Sequence, residues 1–327
     1  MIPAEWFIDE SPKNRMVLAL LSGIDEEVSW SLFRLAHLSY QHGHRFFLKP
    51  LFGLTDALME WPLWWLANSG GIPADETQGL MNGNGAASEI WAVSSGVQKK
   101  RKHALESLLI LRNASFETAN ATFLMQNPRT MVLLDGLQSL PRIPLNSEFI
   151  GYLAEIFNGV AAQIVLKHNP LFPVQAISEM VASTNERSLI LSLLSALSTL
   201  YNNNNNSAYI SPASPALDVA VRYLPLDVDR PLVAACLDYL FAHLSHPPAA
   251  KAFLLHQDMT NTLKVLVTLL VTDQPLGPRQ QPLGPATLTA PQQPSVPLYQ
   301  LTADELQALI NTPEPQRSMD WSVGSDQ

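Results

Sequence analysis

An all-α fold assembled from stacked helical hairpins is what this 327-residue sequence predicts. Three observations carry that prediction. Apolar residues recur at spacings of three and four along most of the chain, the period of a helix with one buried face. Strand signals are weak, with few alternating β-branched runs and no Asn-Gly turn between two of them. One layout recurs four times: an apolar helix, a polar corner, then a second apolar helix.

The first helices of the four pairs contain LFRLAHLSY (32–40), LLILRNASF (108–116), LLSALSTLY (193–201) and LDYLFAHLSHP (237–247). Their partners are FGLTDALMEWPLWWL (52–66), TMVLLDGLQSL (130–140), ALDVAVRYL (216–224) and TNTLKVLVTLLV (260–271). Between the second and third pairs lie two more helical segments, FIGYLAEIFNGVAAQIVL (149–166) and VQAISEMVAS (174–183). Such hairpins cannot bury both faces alone, so stacking them into an α-solenoid of armadillo or HEAT kind, irregular in spacing, completes the core. A compact helical bundle would show the same periodicity.

The expected helical domain spans 14–271, with loop insertions at 68–88 (Gly- and Asn-rich) and 202–215, which opens on NNNNN. Pro and Gln dominate 272–297, a composition that cannot sustain a helix and predicts a flexible, disordered linker. The remainder, 298–327, is predicted as a short helix and tail, with Thr302 and Glu305 spaced as a capping box.

Hydrophobic residues make up 47% and charged ones 15%, too apolar for a disordered chain. The longest apolar run, Leu189 to Leu200, is well short of the roughly 20 residues a bilayer requires, so no membrane partner is expected. The opening residues MIPAEWFIDESP do not resemble a secretory signal. A net charge of −9 argues against a general phosphate-binding surface. The one cysteine, Cys236, lies in an apolar run and reads as core.

Motifs for catalysis and cofactors are missing from the residue pattern. No Gly-x-Ser-x-Gly elbow occurs, and GNGAAS (83–88) lacks the strand and lysine of a phosphate-binding loop. His37, His42 and His44 lie within eight residues, but without a nearby acidic or thiol ligand they read as a polar corner. LDVDRP (226–231) reads as a turn with a helix cap rather than a calcium loop. No enzyme, cofactor or metal is expected. Asn113, Asn120 and Asn205 begin glycosylation sequons that carry no weight without a secretory signal.

Two stretches remain. Lys99, Lys100, Arg101 and Lys102 precede a helix expected to open near Ala104, where cations oppose the macrodipole. They read either as a solvated loop end or as a nuclear localisation signal. In LLILRNAS, an apolar helix ends on Arg112 and Asn113. Asn113 suits either a structural bond to a neighbouring helix end or a bond to an extended ligand in a groove, with Arg112 facing solvent or a partner's carboxylate.

LESLLILRNASFETANATFL (105–124) resembles the armadillo signature, and more closely the armadillo-like region of ARID-associated subunits of RSC and PBAF, the SWI/SNF-type chromatin-remodelling complexes. NRMVLALLSGIDEEVSWSLFRLAHLSY (14–40) is similar to the opening repeat of that family. In ELQALINTPEPQRSMDW (305–321), Glu314, Pro315 and Arg317 followed by Trp321 resemble its "EPxR…W" segment. The resemblance implies a nuclear, non-catalytic scaffold in chromatin organisation and transcription regulation. Its partners would be other remodelling-complex subunits, including the Snf2-type ATPase. Family members carry an ARID ahead of this region, and none is visible here, so contact with DNA or nucleosomes is expected only indirectly or weakly. Partner-binding candidates are Arg112, Asn113, Glu314, Pro315, Arg317, Trp321 and the cluster Trp61, Trp64 and Trp65, for which core packing is the alternative. The resemblance also favours nuclear import for the basic run. The competing reading is a cytosolic armadillo adaptor or transport receptor that grips extended peptides through an asparagine ladder. The corners matching Asn113 carry His37, Thr199 and His243 instead.

Overall fold

A computed structural model describes residues 14–68, 88–226 and 228–271. The predicted linker, terminal helix and tail lie outside the described residues, as does nearly all of the 68–88 loop. Among the described residues the regular structure is helical throughout, and the helices stack as a solenoid.

Local signals set the helix starts. Asn14 caps α1 (Arg15–Leu21), its side chain accepting from the Met16 amide at 2.9 Å. Gly23, at φ 70°, makes the turn into α2 (Asp25–Gln41), whose first turn holds Asp25, Glu26 and Glu27 where the helix dipole favours negative charge. Then come α3 (Leu54–Asn68), α4 (Ser88–Ser115), α5 (Thr118–Gln126), α6 (Pro128–Ser139), α7 (Pro144–Val160), α8 (Val174–Ser183), α9 (Arg187–Asn202), α10 (Pro215–Tyr223), α11 (Arg230–Leu244), α12 (Pro247–Leu254) and α13 (Met259–Val271). Proline opens α6, α7, α10 and α12, where its missing N–H costs nothing. Asp229 caps α11, as the turn reading of LDVDRP expects.

Packing runs in two rows. Helices α2, α4, α7, α9 and α11 contact one another in that order, while α3, α6, α8 and α10 form the second row. Thus 149–166 and 174–183 are not an interlude between pairs: α7 and α8 supply a full member to each row. A continuous apolar core runs between the rows, from Met16 to Phe253.

Where α4 and α7 cross, Gly159 lies against Ser115. A Cβ at Gly159 would stand 2.7 Å from the Ser115 carbonyl oxygen. Backbone cannot yield as a side chain can, so Gly159→Ala is expected to cost about 1–3 kcal/mol in urea unfolding. Gly136→Ala meets only the side-chain ends of Leu66 and Leu153 and should cost less. Equal costs would show that the crossing is looser than its geometry.

Two buried asparagines hold the repeats together. After α2, a 3-10 turn (Gly43–Arg45) leads into the strap Phe46–Leu48; after α7, a matching turn (Ala161–Gln163) leads into Ile164–Leu166. Asn120 of α5 accepts from the Leu48 amide at 2.9 Å and donates to the Phe46 carbonyl at 2.7 Å. Asn206 accepts from the Leu166 amide at 2.8 Å and donates to the Ile164 carbonyl at 3.0 Å. A carboxamide suits the place because it presents one acceptor and one donor side by side. The straps are similar in sequence, RFFLKPLF (45–52) and QIVLKHNPLF (163–172). The NNNNN stretch is therefore no idle insertion: Asn204–Tyr209 is a 3-10 helix that places Asn206.

Candidate functional site

Arg112 and Asn113 join three helices of the first row. The Arg112 Nε donates to Glu155 of α7, and its second nitrogen donates to Asn113 Oδ1 at 3.0 Å. Asn113 Nδ2 donates to Ser39 Oγ of α2 at 3.1 Å, and that hydroxyl donates to the Ala36 carbonyl at 2.9 Å. The guanidinium also stands 4.9 Å from the Phe116 ring centre. An apolar helix ends in Arg-Asn because these two groups tie α4 to both neighbours. Each half-buried bond contributes about 1 kcal/mol. Arg112 is thus matched by a carboxylate of its own chain. Above this chain of bonds opens a cleft of about 340 Å³, lined by Tyr40, His44 and Phe116 as well as by Ser39, Arg112 and Asn113.

The tryptophan cluster divides. Trp65 is fully buried, and its indole donates to the Asn146 oxygen at 3.2 Å. It is corrected here from a partner-binding candidate to a core residue, inaccessible in the folded unit. Trp61 and Trp64 are half-buried. Trp61 meets the His103 ring edge-on at 4.9 Å between centres, and His103 Nε2 lies 3.0 Å from the Ser29 hydroxyl. Burial lowers the His103 pKa.

The basic run lies inside α4, not ahead of a helix near Ala104. The helix opens at Ser88, about three turns ahead of the run, so the macrodipole argument does not apply there. Each cation also has an internal partner. Lys99 pairs with Asp25 at 3.2 Å, and Lys100 stands 4.5 Å from the Trp64 ring centre. Arg101 donates twice to the Leu145 carbonyl, at 3.2 and 2.9 Å, and Lys102 lies 3.7 Å from Glu106. Burial raises the Glu106 pKa against the pull of Lys102. Glu314, Pro315, Arg317 and Trp321 lie outside the described residues.

Burial pushes the Cys236 thiol up to about 12, which leaves it protonated and unreactive at neutral pH. Sequence reasoning missed Asn120 and Asn206 as structural clamps. It also missed the buried aromatic group of Tyr201, Tyr239 and His243, in which the His243 ring stacks on Tyr239 at 5.5 Å. The clamps bind straps some 40 to 74 positions away in the chain; in the ring group Tyr239 and His243 are four apart on α11, and only Tyr201 comes from another helix.

No protein-family description matches the chain. It is similar to the chromatin structure-remodeling complex subunit rsc9 of Schizosaccharomyces pombe, with 21% identity over 313 residues. That relative is a remodelling-complex subunit. The match takes in 94% of this chain and 37% of the relative, so the chain spans little more than a third of that protein's length.

Proposed function

We propose that this chain is a nuclear, non-catalytic scaffold subunit of an ATP-dependent chromatin-remodelling complex of the RSC or SWI/SNF type. The similarity to rsc9 along nearly the whole chain carries this reading. The solenoid fits it, since stacked repeats give long surfaces on which several proteins can lie. Motor activity comes from a separate Snf2-type ATPase among its partners, and DNA is reached through those partners. Of the candidate anchors, Trp61, Trp64 and the Arg112–Asn113 corner remain within reach of a partner. Glu314, Pro315, Arg317 and Trp321 are further proposed contacts. Nuclear import through Lys99, Lys100, Arg101 and Lys102 requires reading a charged helix face rather than extended chain.

The adaptor reading loses support from the asparagines themselves. Asn120 and Asn206 are spent on the protein's own straps, and Asn113 on Ser39, so none of these three is part of a ladder gripping a ligand backbone. The test is enzymatic. The purified chain alone is expected to hydrolyse no ATP, whereas material captured through it from nuclear extract hydrolyses ATP with stimulation by DNA. Captured material without such activity, or hydrolysis by the isolated chain, contradicts the proposal.

A further inference from the structure

On this acidic chain one stretch of sequence has the opposite character. Between Glu27 and Asp56 the sequence contains no carboxylate, yet it holds Arg34, Arg45 and Lys49 and three histidines. The three permanent cations are exposed, and among the described residues none has an ion-pair or hydrogen-bond partner. This contrasts with Lys99, Arg101, Arg112 and Arg129, each matched by a carboxylate or carbonyl of the chain.

Large aromatic rings share the surface. On α2, positions 33, 37 and 40 follow at spacings of four and three and so fall on one helical face. Phe33 is 67% exposed and Tyr40 82% exposed. Tyr40 forms one wall of the 340 Å³ cleft, and Phe116, 55% exposed, forms the other. His44 and the half-buried Glu117 also line the cleft, and Arg45 directly follows His44. Exposed rings grouped around a concavity mark a contact surface rather than scattered surface residues.

We propose that the exposed face of α2 and the Tyr40–Phe116 cleft bind an acidic peptide segment of another protein, with one apolar or aromatic side chain in the cleft and carboxylates on Arg34 and Arg45. The unpaired cations select the acidic flanks, and the cleft, which the carboxylate of Glu117 also lines, takes the uncharged side chain. A basic segment would meet unpaired cations, and the rings alone would not discriminate among apolar partners. Nucleic acid is the weaker match. Three permanent charges neutralise few phosphates, and the surrounding protein carries a net charge of −9. The binding requires only the folded solenoid and stands independently of the chromatin reading.

The test uses the full chain and a fluorescein-labelled peptide of glutamate and aspartate residues around one central phenylalanine. Controls are the same peptide with alanine at the centre, a lysine version, and a single-stranded oligonucleotide. Fluorescence anisotropy is expected to show saturable binding of the acidic phenylalanine peptide. Affinity should fall at least about tenfold in Arg34→Glu/Arg45→Glu and in Tyr40→Ala, about 1.4 kcal/mol. It should hold in Lys264→Glu, a reversal on α13. All of these side chains are exposed, so unchanged melting curves confirm that folding is not the cause. No saturable binding, equal binding by all variants, or preferential binding of the lysine peptide overturns the proposal. Oligonucleotide binding that is lost in the same variants while the peptide does not bind also overturns it, in favour of a nucleic-acid surface.

Discussion

Replacing Asn206 with leucine is expected to destabilise the protein by about 3–5 kcal/mol, because it strands several buried backbone groups together. Asn206 is fully buried and makes three bonds: from the Leu166 amide at 2.8 Å, and to the Ile164 and Leu200 carbonyls at 3.0 Å each. Leucine fills much the same space and bonds none of them. Asn206→Asp keeps an acceptor but loses both donors and buries a charge, so it should not rescue. Asn205→Ala, one position away in the same run and exposed, should stay within about 0.5 kcal/mol of the parent. Urea unfolding monitored by helical circular dichroism separates the cases. Equal effects at 205 and 206 would mean that the strap is not held as described.

The second large effect is on pH. His243 is fully buried and stacked on Tyr239, and burial lowers its pKa to about 4. An unfolded chain takes up this proton near pH 6.5, so between the two values protonation favours the unfolded state. The histidine's contribution is therefore complete above about pH 6.5 and is lost as the pH falls toward 4. Between about pH 8 and pH 5 the expected loss is about 2 kcal/mol. Other groups titrate in this range too, so the decisive quantity is the difference from His243→Phe, which keeps a ring against Tyr239 and carries no proton. Stability of that variant should depend less on pH by about the same 2 kcal/mol. Parallel pH profiles for the two proteins would mean that His243 takes up its proton in the folded state as readily as in the unfolded one.

Helical periodicity shows which segments have a buried face, and it located most of the helices, but not that 149–166 and 174–183 belong to the two rows. It is weak where few apolar residues mark the buried face, and so the part of α4 just upstream of Ala104, a basic run, reads as loop. The Arg112–Asn113 corner was visible as an anomaly, a polar pair closing an apolar helix. Its partners Ser39 and Glu155 lie on other helices and emerge only from packing. Asn120 and Asn206 were harder still. One looked like a corner residue and the other was hidden in a run of five asparagines, and only burial tells the clamping residue from its neighbours. Trp65 shows the converse, since a tryptophan cluster reads equally as anchor or core until the helix is placed. The aromatic and basic residues of α2 could be read in order from the sequence, but their exposure and lack of partners could not.

The measurement that bears most directly on the scaffold reading is mass spectrometry of the proteins that accompany the tagged chain from nuclear extract at moderate salt. Recovery of a Snf2-type ATPase with its companion subunits in amounts equal to the chain is the predicted result. A chain recovered alone, or with cytosolic cargo in place of the ATPase, contradicts it and leaves the similarity to rsc9 as a likeness of fold.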